Sequence, residues 1–242
     1  MEIQRSRYVN SREQMLIRFL DFVLSLLALM VLFPLLLMIA LWNVMTGEHQ
    51  IFYRQSRIGR AGRPFEILKF ATMLKDSPNM AGAGFVEAND ARLLPLGAFL
   101  RKTKVNELPQ LLNVLRGDMS LVGFRPLAQA SYDTAVGIGG VFTYKVQPGI
   151  TSPASIVLRN EEEILANVSA CERQHFYDTK ILPTKVAMDR WWKDNRSVYN
   201  YLAVICLTAM ALFVPLHLLP LKLLADLPST SLGQEVGVKG DV

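Results

Sequence analysis

Hydrophobic and polar positions divide the chain into two apolar runs, residues 19–45 and 198–224, separated by a mixed segment dense in arginine. The first run is almost wholly apolar, interrupted by Asp21, Ser25 and Pro34. It exceeds the roughly 20 residues that a spanning helix needs, is too long for the apolar core of a signal peptide, and has no small-residue cleavage site after it. It therefore reads as a retained membrane segment. Its flanks are both basic, with Arg5, Arg7, Arg12 and Arg18 before it and Arg54, Arg57, Arg60, Arg63 and Lys69 after it. A spanning helix normally carries its excess of Lys and Arg on one side. Pro34 removes one backbone hydrogen bond near the middle of the run. The expectation is a re-entrant helix–break–helix hairpin that enters one leaflet and returns, with an ordinary kinked span as the alternative. The second run, which holds Pro215, His217 and Pro220, could lie in the interface, dip into the bilayer or span it.

Between the runs, residues 51–70 predict two short strands around a Gly-Arg-Ala-Gly-Arg-Pro turn. Residues 75–90 lack a clear period and read as a loop, placed to cover whatever follows. Leu108, Leu111, Leu112 and Leu115 recur at helical spacing. Pro109 suits the first turn of that helix and Gly117 its end, with Asn106 a candidate N-cap and Glu107 in the first turn. A helix is expected over 128–136, broken by Gly137, Gly139 and Gly140. Pro148-Gly149 marks a turn, Ile156–Leu158 a short strand, and Glu161–Glu163 a solvated helix start. Residues 172–196 read as helix interrupted at Pro183, and the chain from Pro228 reads as a polar, frayed end. Trp191 and Trp192, beside Lys193 and Arg196, fit either a membrane-interface belt or ordinary core packing. The fold class is α/β, mostly helical with a small sheet. Residues 1–48 form an arm and membrane helix, 49–200 a cytoplasmic domain, and 201–242 an apolar membrane-associated segment with a polar tail.

Composition supports the membrane reading: 51% of residues are hydrophobic, which is high for a soluble domain. The formal net charge of +5 favours anionic partners such as lipid headgroups, nucleotides or nucleic acid. Nucleic acid fits poorly, because no aromatic-interleaved basic platform or helix-turn-helix pattern is present. Two cysteines and three dispersed histidines argue against a disulfide framework, a cysteine metal site or zinc. The stretch RKTKVNELPQLLNVLRGDMSLVGFRP, residues 101–126, concentrates the candidate chemistry. Glu107 is flanked by Arg101, Lys102 and Lys104 before it and Arg125 after it, beside a helix N-terminus with free N–H groups. That arrangement suits a phosphate, although an amphipathic helix with flanking charges is more often plain scaffold.

These pieces resemble the bacterial sugar transferases, also called monotopic phosphoglycosyl transferases. The similarity rests on the proline-broken apolar N-terminus, YRQSRIGRAGRPFEILKFATM, NDARLLPLGAFLRKT, NELPQLLNVLRGDMSLVGFRPL, QPGITSPASIVLRNEEE and YDTKILPTK, in the family's order. The resemblance implies transfer of a sugar 1-phosphate from a UDP-sugar to polyprenyl phosphate, normally undecaprenyl phosphate, with release of UMP. This step starts capsule, exopolysaccharide, O-antigen or glycoprotein glycan assembly at the cytoplasmic face of the bacterial inner membrane. It also implies Mg²⁺ and a neighbouring Asp-Glu pair, the aspartate forming a covalent phosphosugar intermediate. Carried onto this chain, Glu107 handles metal and phosphate, Arg101 and Arg125 bind phosphate, and Lys69 supplies a supporting charge. Membrane lipids are expected partners, and self-association into a homo-oligomer is compatible with the pattern. Where the family has its aspartate nucleophile this chain has Asn106, whose neutral carboxamide lacks the attacking anionic oxygen. Three explanations follow: a substituted form of an active enzyme, a lineage in which Glu107 or the lipid phosphate takes over the attack, or a catalytically silent membrane scaffold. Phe124, at a position where proline is commoner, is a milder departure.

Overall fold

The computed structural model describes residues 11–80, 90–140 and 146–228. The cover expected over 75–90 lies mostly outside that range, as does nearly all of the polar end.

Helix α1, Ser11–Thr46, contains the first apolar run and is continuous through Pro34. The break expected at the proline is absent. A proline costs the helix one i→i−4 hydrogen bond, which packing can offset in a long helix. At about 1.5 Å per residue, α1 is on the order of 54 Å long. Its buried positions, Ile17, Asp21, Ser25, Ile39 and Asn43, recur at near-helical spacing and form one stripe. The stripe lies against the rest of the protein at both ends. Near the start, Asp21 Oδ1 accepts hydrogen bonds from Ser120 Oγ (2.9 Å), the Leu121 amide (2.8 Å) and Tyr201 Oη (2.8 Å). Near the end, Asn43 Nδ2 donates to the Ala71 carbonyl (3.0 Å), and Ile39 packs with Phe70 and Leu100. The other faces expose Phe19, Phe22, Met30, Val31, Phe33, Met38 and Met45.

Strands β1, Phe52–Ile58, and β2, Pro64–Phe70, form the expected antiparallel hairpin, with Tyr53 opposite Lys69 and Arg57 opposite Phe65. Its turn takes left-handed backbone at Ala61 and Gly62. Short helices α2, Gly97–Lys102, and α3, Gln110–Arg116, follow. Helix α3 ends on Gly117 at φ +94°, the left-handed residue that C-caps favour. Its last turn is also held from α1, where Arg18 donates to the Val114 and Leu115 carbonyls (2.6 and 3.1 Å). Asn106 does not cap it. The helix starts at Gln110, and Asn106 sits in a preceding 3-10 turn, Val105–Glu107, because Pro109 already supplies the helical entry.

Strand β3, Ser120–Val122, pairs in parallel with β4, Gly149–Thr151. Helix α4, Gln129–Gly137, matches expectation. The chain does not turn at Pro148-Gly149 but runs directly into β4, and the strand expected over Ile156–Leu158 is instead helix α5, Pro153–Val157. Ser152 caps that helix by accepting from the Ser155 amide (3.0 Å), with Pro153 at its first position. A good cap followed by proline thus overrides the β-branched pair Ile156-Val157. Helix α6, Glu161–Ala166, starts at the acidic run. Helix α7, Arg173–Phe176, leads through a π-helical turn, Tyr177–Ile181, into α8, Leu182–Asp194, with Pro183 in the first turn of α8.

Trp191 and Trp192 belong to the core, at 5% and 1% exposure, rather than to an interface belt. They pack with Ile17, Val122, Tyr201, Val204, Leu207, Leu216 and Leu219 in one cluster that ties α1, the middle of the chain and its C-terminal part together. The second apolar run forms helix α9, Val198–Ala211, followed by short 3-10 turns. At about 21 Å, α9 is shorter than the roughly 30 Å hydrocarbon core of a bilayer.

Candidate functional site

The site is built where β2, the Val105–Glu107 turn and the segment after β3 meet. Asn113 on α3 fastens that helix to β2, its Oδ1 accepting from the Leu68 amide (3.0 Å) and its Nδ2 donating to the Glu66 carbonyl (2.8 Å). This clamp brings the turn ahead of α3 alongside Lys69. A backbone bridge to Ile58 holds Leu127 beside the hairpin, and another to Pro148 holds Phe124 beside the start of β4. Phe124 is buried against Leu127, Ala135, Leu182 and Val186, so its departure from proline is absorbed by packing.

Glu107 Oε1 accepts from Lys69 Nζ (3.1 Å) and from Arg125 Nη2 (2.5 Å). Arg125 Nη1 donates to the Ile150 carbonyl on β4 (2.8 Å), so its guanidinium is oriented from two sides. All three side chains are largely shielded, at 18%, 13% and 28% exposure for Lys69, Glu107 and Arg125. Burial works to raise the Glu107 carboxyl, but Arg125 and Lys69 outweigh it and hold the group well below the ordinary carboxylate range. Burial lowers Lys69 despite its bond to Glu107. Arg125 is raised, because the carboxylate overcomes the burial penalty.

Of the residues singled out from sequence, Lys69, Glu107 and Arg125 converge, and Asn106 adjoins them in the turn. The guanidinium of Arg101 instead lies 3.7 Å from Glu162 Oε1 at the start of α6, an oxygen that Lys104 Nζ also approaches at 3.1 Å. Asn106 is 6% exposed, and its buried Oδ1 has no hydrogen-bond partner among the described residues.

Three further residues border the cluster. Arg57 is on the hairpin face that carries Tyr53 and Lys69, bonds Gln55 Oε1, and feels Arg125 and Glu107 electrostatically. Burial and Arg125 lower its pKa. Tyr177, in the π-helical turn, and Glu161 both act on Arg125, and Lys185 Nζ joins them by bonding Glu161 Oε1 (2.8 Å) and Tyr177 Oη (3.4 Å). Period-two alternation along β1 could have flagged Arg57. Glu161, Tyr177 and Lys185 lie in the stretches QPGITSPASIVLRNEEE and YDTKILPTK that carry the resemblance, but nothing in their spacing tied them to Arg125. Three cations, Arg57, Lys69 and Arg125, thus surround one carboxylate, an excess of positive charge that an incoming anion would offset.

Among the described residues no group of three or more His, Cys, Asp or Glu side chains could hold a metal. The site still offers oxygen donors: Lys69 and Arg125 both engage Oε1 of Glu107, while Oε2 has no hydrogen-bond partner among the described residues, and Asn106 Oδ1 is unpartnered. One carboxylate with a neighbouring carboxamide fits Mg²⁺ brought by a substrate phosphate better than a resident ion, because Mg²⁺ commonly binds through one or two carboxylates plus phosphate.

A shielded cluster of cations around one carboxylate, in a protein that also carries a long apolar helix, defines a class of protein able to bind anions. Residues 12–215 match the family described as bacterial sugar transferase, and the chain belongs to that family. It is 42% identical over 143 residues to the UDP-glucose:undecaprenyl-phosphate glucose-1-phosphate transferase of Caulobacter vibrioides, covering 57% of this chain and 52% of that protein. It is 30% identical over 227 residues to the undecaprenyl-phosphate galactose phosphotransferase of Salmonella typhimurium, covering 86% and 43%. A putative undecaprenyl-phosphate N-acetylgalactosaminyl 1-phosphate transferase of Bacillus subtilis is 36% identical over 109 residues, covering 45% and 60%. The matches span about half of these curated relatives' own lengths. Their names specify three different sugars, so the likeness does not select one.

Proposed function

We propose that this chain transfers a sugar 1-phosphate from a UDP-sugar to undecaprenyl phosphate, releasing UMP, and so initiates assembly of a bacterial polysaccharide or glycoconjugate. The observation that carries the reading is Glu107 held between Lys69 and Arg125 with Arg57 close by. Lys69 and Arg125 grip the diphosphate oxygens and offset the charge that spreads over them as the bond between the β-phosphorus and its bridging oxygen breaks. Arg125, oriented by Ile150, presents a planar fork suited to two phosphate oxygens. A phosphate oxygen of undecaprenyl phosphate forms the new bond to the β-phosphorus, and UMP leaves with the electron pair of the bridging bond. Mg²⁺, when bound through Glu107, would supply further neutralisation of the diphosphate. Arg101, now paired with Glu162, contributes by reaching the outer phosphate when substrate competes for it.

The setting we infer is monotopic, on the cytoplasmic face of the inner membrane. Both ends of α1 are fastened to the same protein body through Asp21 and Asn43, which favours a helix lying in one leaflet over a span that would carry its far end away. The apolar residues on its free faces supply the lipid contact, and the acceptor's polyprenyl tail shares that phase.

A catalytically silent scaffold is the second reading, favoured by the neutral, unpartnered Asn106 where the resemblance expects a carboxylate. One assay separates the two. Membranes carrying the protein are incubated with radiolabelled UDP-sugars and undecaprenyl phosphate, and labelled lipid, its mass and UMP are measured. Turnover by the chain as it stands establishes the transferase. Turnover only in Asn106→Asp identifies a disabled enzyme, and none in either form leaves the scaffold.

A further inference from the structure

A second polar cavity lies apart from the Glu107 cluster, where the first turns of α1 meet the hairpin turn and the end of α8. Its volume is about 290 Å³, at the lower end of ligand pockets. Arg18, Arg60 and Arg196 line it, with Asp21, Gln147 and Met15 among the other residues of its wall. The three guanidiniums share one carboxylate, Asp21, which attracts Arg18 and Arg196 and whose Oδ1 already accepts from Ser120, Leu121 and Tyr201, so the wall keeps an excess of positive charge. Arg18 spends two donors on the end of α3. Arg60 and Arg196 have no carboxylate within ion-pair distance among the described residues, and Arg196 Nε is buried without a hydrogen bond. A shielded guanidinium nitrogen with no acceptor, beside two more cations, is a costly arrangement that an anion relieves by supplying acceptor oxygens. Met15, which lines the cavity, belongs to the part of α1 that also exposes Leu16, Phe19 and Phe22. A ligand with a charged head and an apolar body would therefore find both surfaces together.

We propose that this cavity is a second phosphate-binding site, separate from the transfer site, which takes a phosphate group through Arg60 and Arg196. The phosphate comes either from the phosphodiester headgroup of a membrane lipid or from a free phosphate ion. Lipid binding here would fix the root of α1 at headgroup level.

The test uses the full chain, purified in detergent and delipidated. Binding of palmitoyl-oleoyl phosphatidylglycerol and phosphatidylcholine is measured by native mass spectrometry, and binding of inorganic phosphate by calorimetry. Arg60→Gln, Arg196→Gln and the double variant are compared with Arg54→Gln/Arg63→Gln, which removes equal charge from exposed positions of the same hairpin. Loss of charge-assisted hydrogen bonds to phosphate should weaken binding about tenfold or more in the double variant, with the hairpin control unchanged. A preference for phosphatidylglycerol over phosphatidylcholine that the double variant loses identifies a lipid source. A class of inorganic-phosphate binding lost in the double variant without lipid preference identifies a soluble one. Arg60→Gln alone, at an exposed position, carries the test if Arg196→Gln fails to fold. Binding of neither probe, or an equal loss in the hairpin control, overturns the proposal. The readout is independent of turnover, so the proposed transfer reaction stands or falls separately.

Discussion

Replacing Asp21 by alanine tests whether α1 lies against the protein as described. Its Oδ1 collects three donors from two other parts of the chain: Ser120 Oγ, the Leu121 amide and Tyr201 Oη. In alanine all three lose their acceptor in a region where Asp21, Ser120 and Tyr201 are at most 1% exposed. The hydroxyls can rotate toward other acceptors, but the amide cannot. A stranded buried donor costs about 1–3 kcal/mol, while removing a buried carboxylate returns part of its desolvation penalty. The net destabilisation is on the order of 2–4 kcal/mol, a large share of the 5–15 kcal/mol typical of a folded protein. For a chain of this size each kcal/mol shifts the midpoint by about 2–4 °C. Thermal unfolding in detergent should therefore fall by about 10 °C for Asp21→Ala, and by much less for Asp21→Asn, which keeps one acceptor oxygen. Protease cleavage within residues 11–25 should rise in parallel. An alanine variant that melts within a degree or two of the parent, with unchanged cleavage, would refute the docked position of the helix.

Three other outcomes follow from the same structure. Arg125→Lys cannot bond Glu107 and the Ile150 carbonyl in one planar fork, so labelled-lipid formation in the membrane assay should drop about a hundredfold, consistent with loss of a donor to developing charge; near-parental turnover would show that Arg125 is peripheral. Gly149→Ala would drive a Cβ into the backbone of Gly123 across the β3–β4 pair and should cost about 1–3 kcal/mol in unfolding measurements. Asp189, 2% exposed on α8, has its carboxyl pushed well above 3.8 by burial, with Lys185 opposing. The folded protein then holds a proton that the unfolded chain releases above about pH 4, so stability falls as pH rises from there toward the folded pKa. Asp189→Asn removes that loss and should raise the melting temperature by a few degrees at neutral pH, with no gain below about pH 4. A gain that persists unchanged at pH 3.5 would contradict this account.

Elements whose signals are local were legible in the residue pattern. The hairpin followed from alternation around a Gly-rich turn, the end of α3 from Gly117, and the start of α6 from its acidic residues. Local signals misled where two of them competed. Asn106 looked like a cap, yet Pro109 set the helix start, and Ile156-Val157 looked like strand, yet Ser152-Pro153 opened a helix. The break expected at Pro34 also failed, because contacts along both halves of α1 outweigh the single hydrogen bond that proline removes. Residue types and spacing were enough to nominate Lys69, Glu107 and Arg125. They could not show that the three meet: Lys69 and Glu107 are 38 positions apart and come together only because Asn113 clamps α3 to β2. Arg101, much closer to Glu107 in sequence, turns away to Glu162. The arginine-lined cavity likewise joins the ends of elements far apart in the chain. Backbone preferences are set by neighbouring residues and can be read along the chain. Charge pairing depends on distance in space, which packing creates.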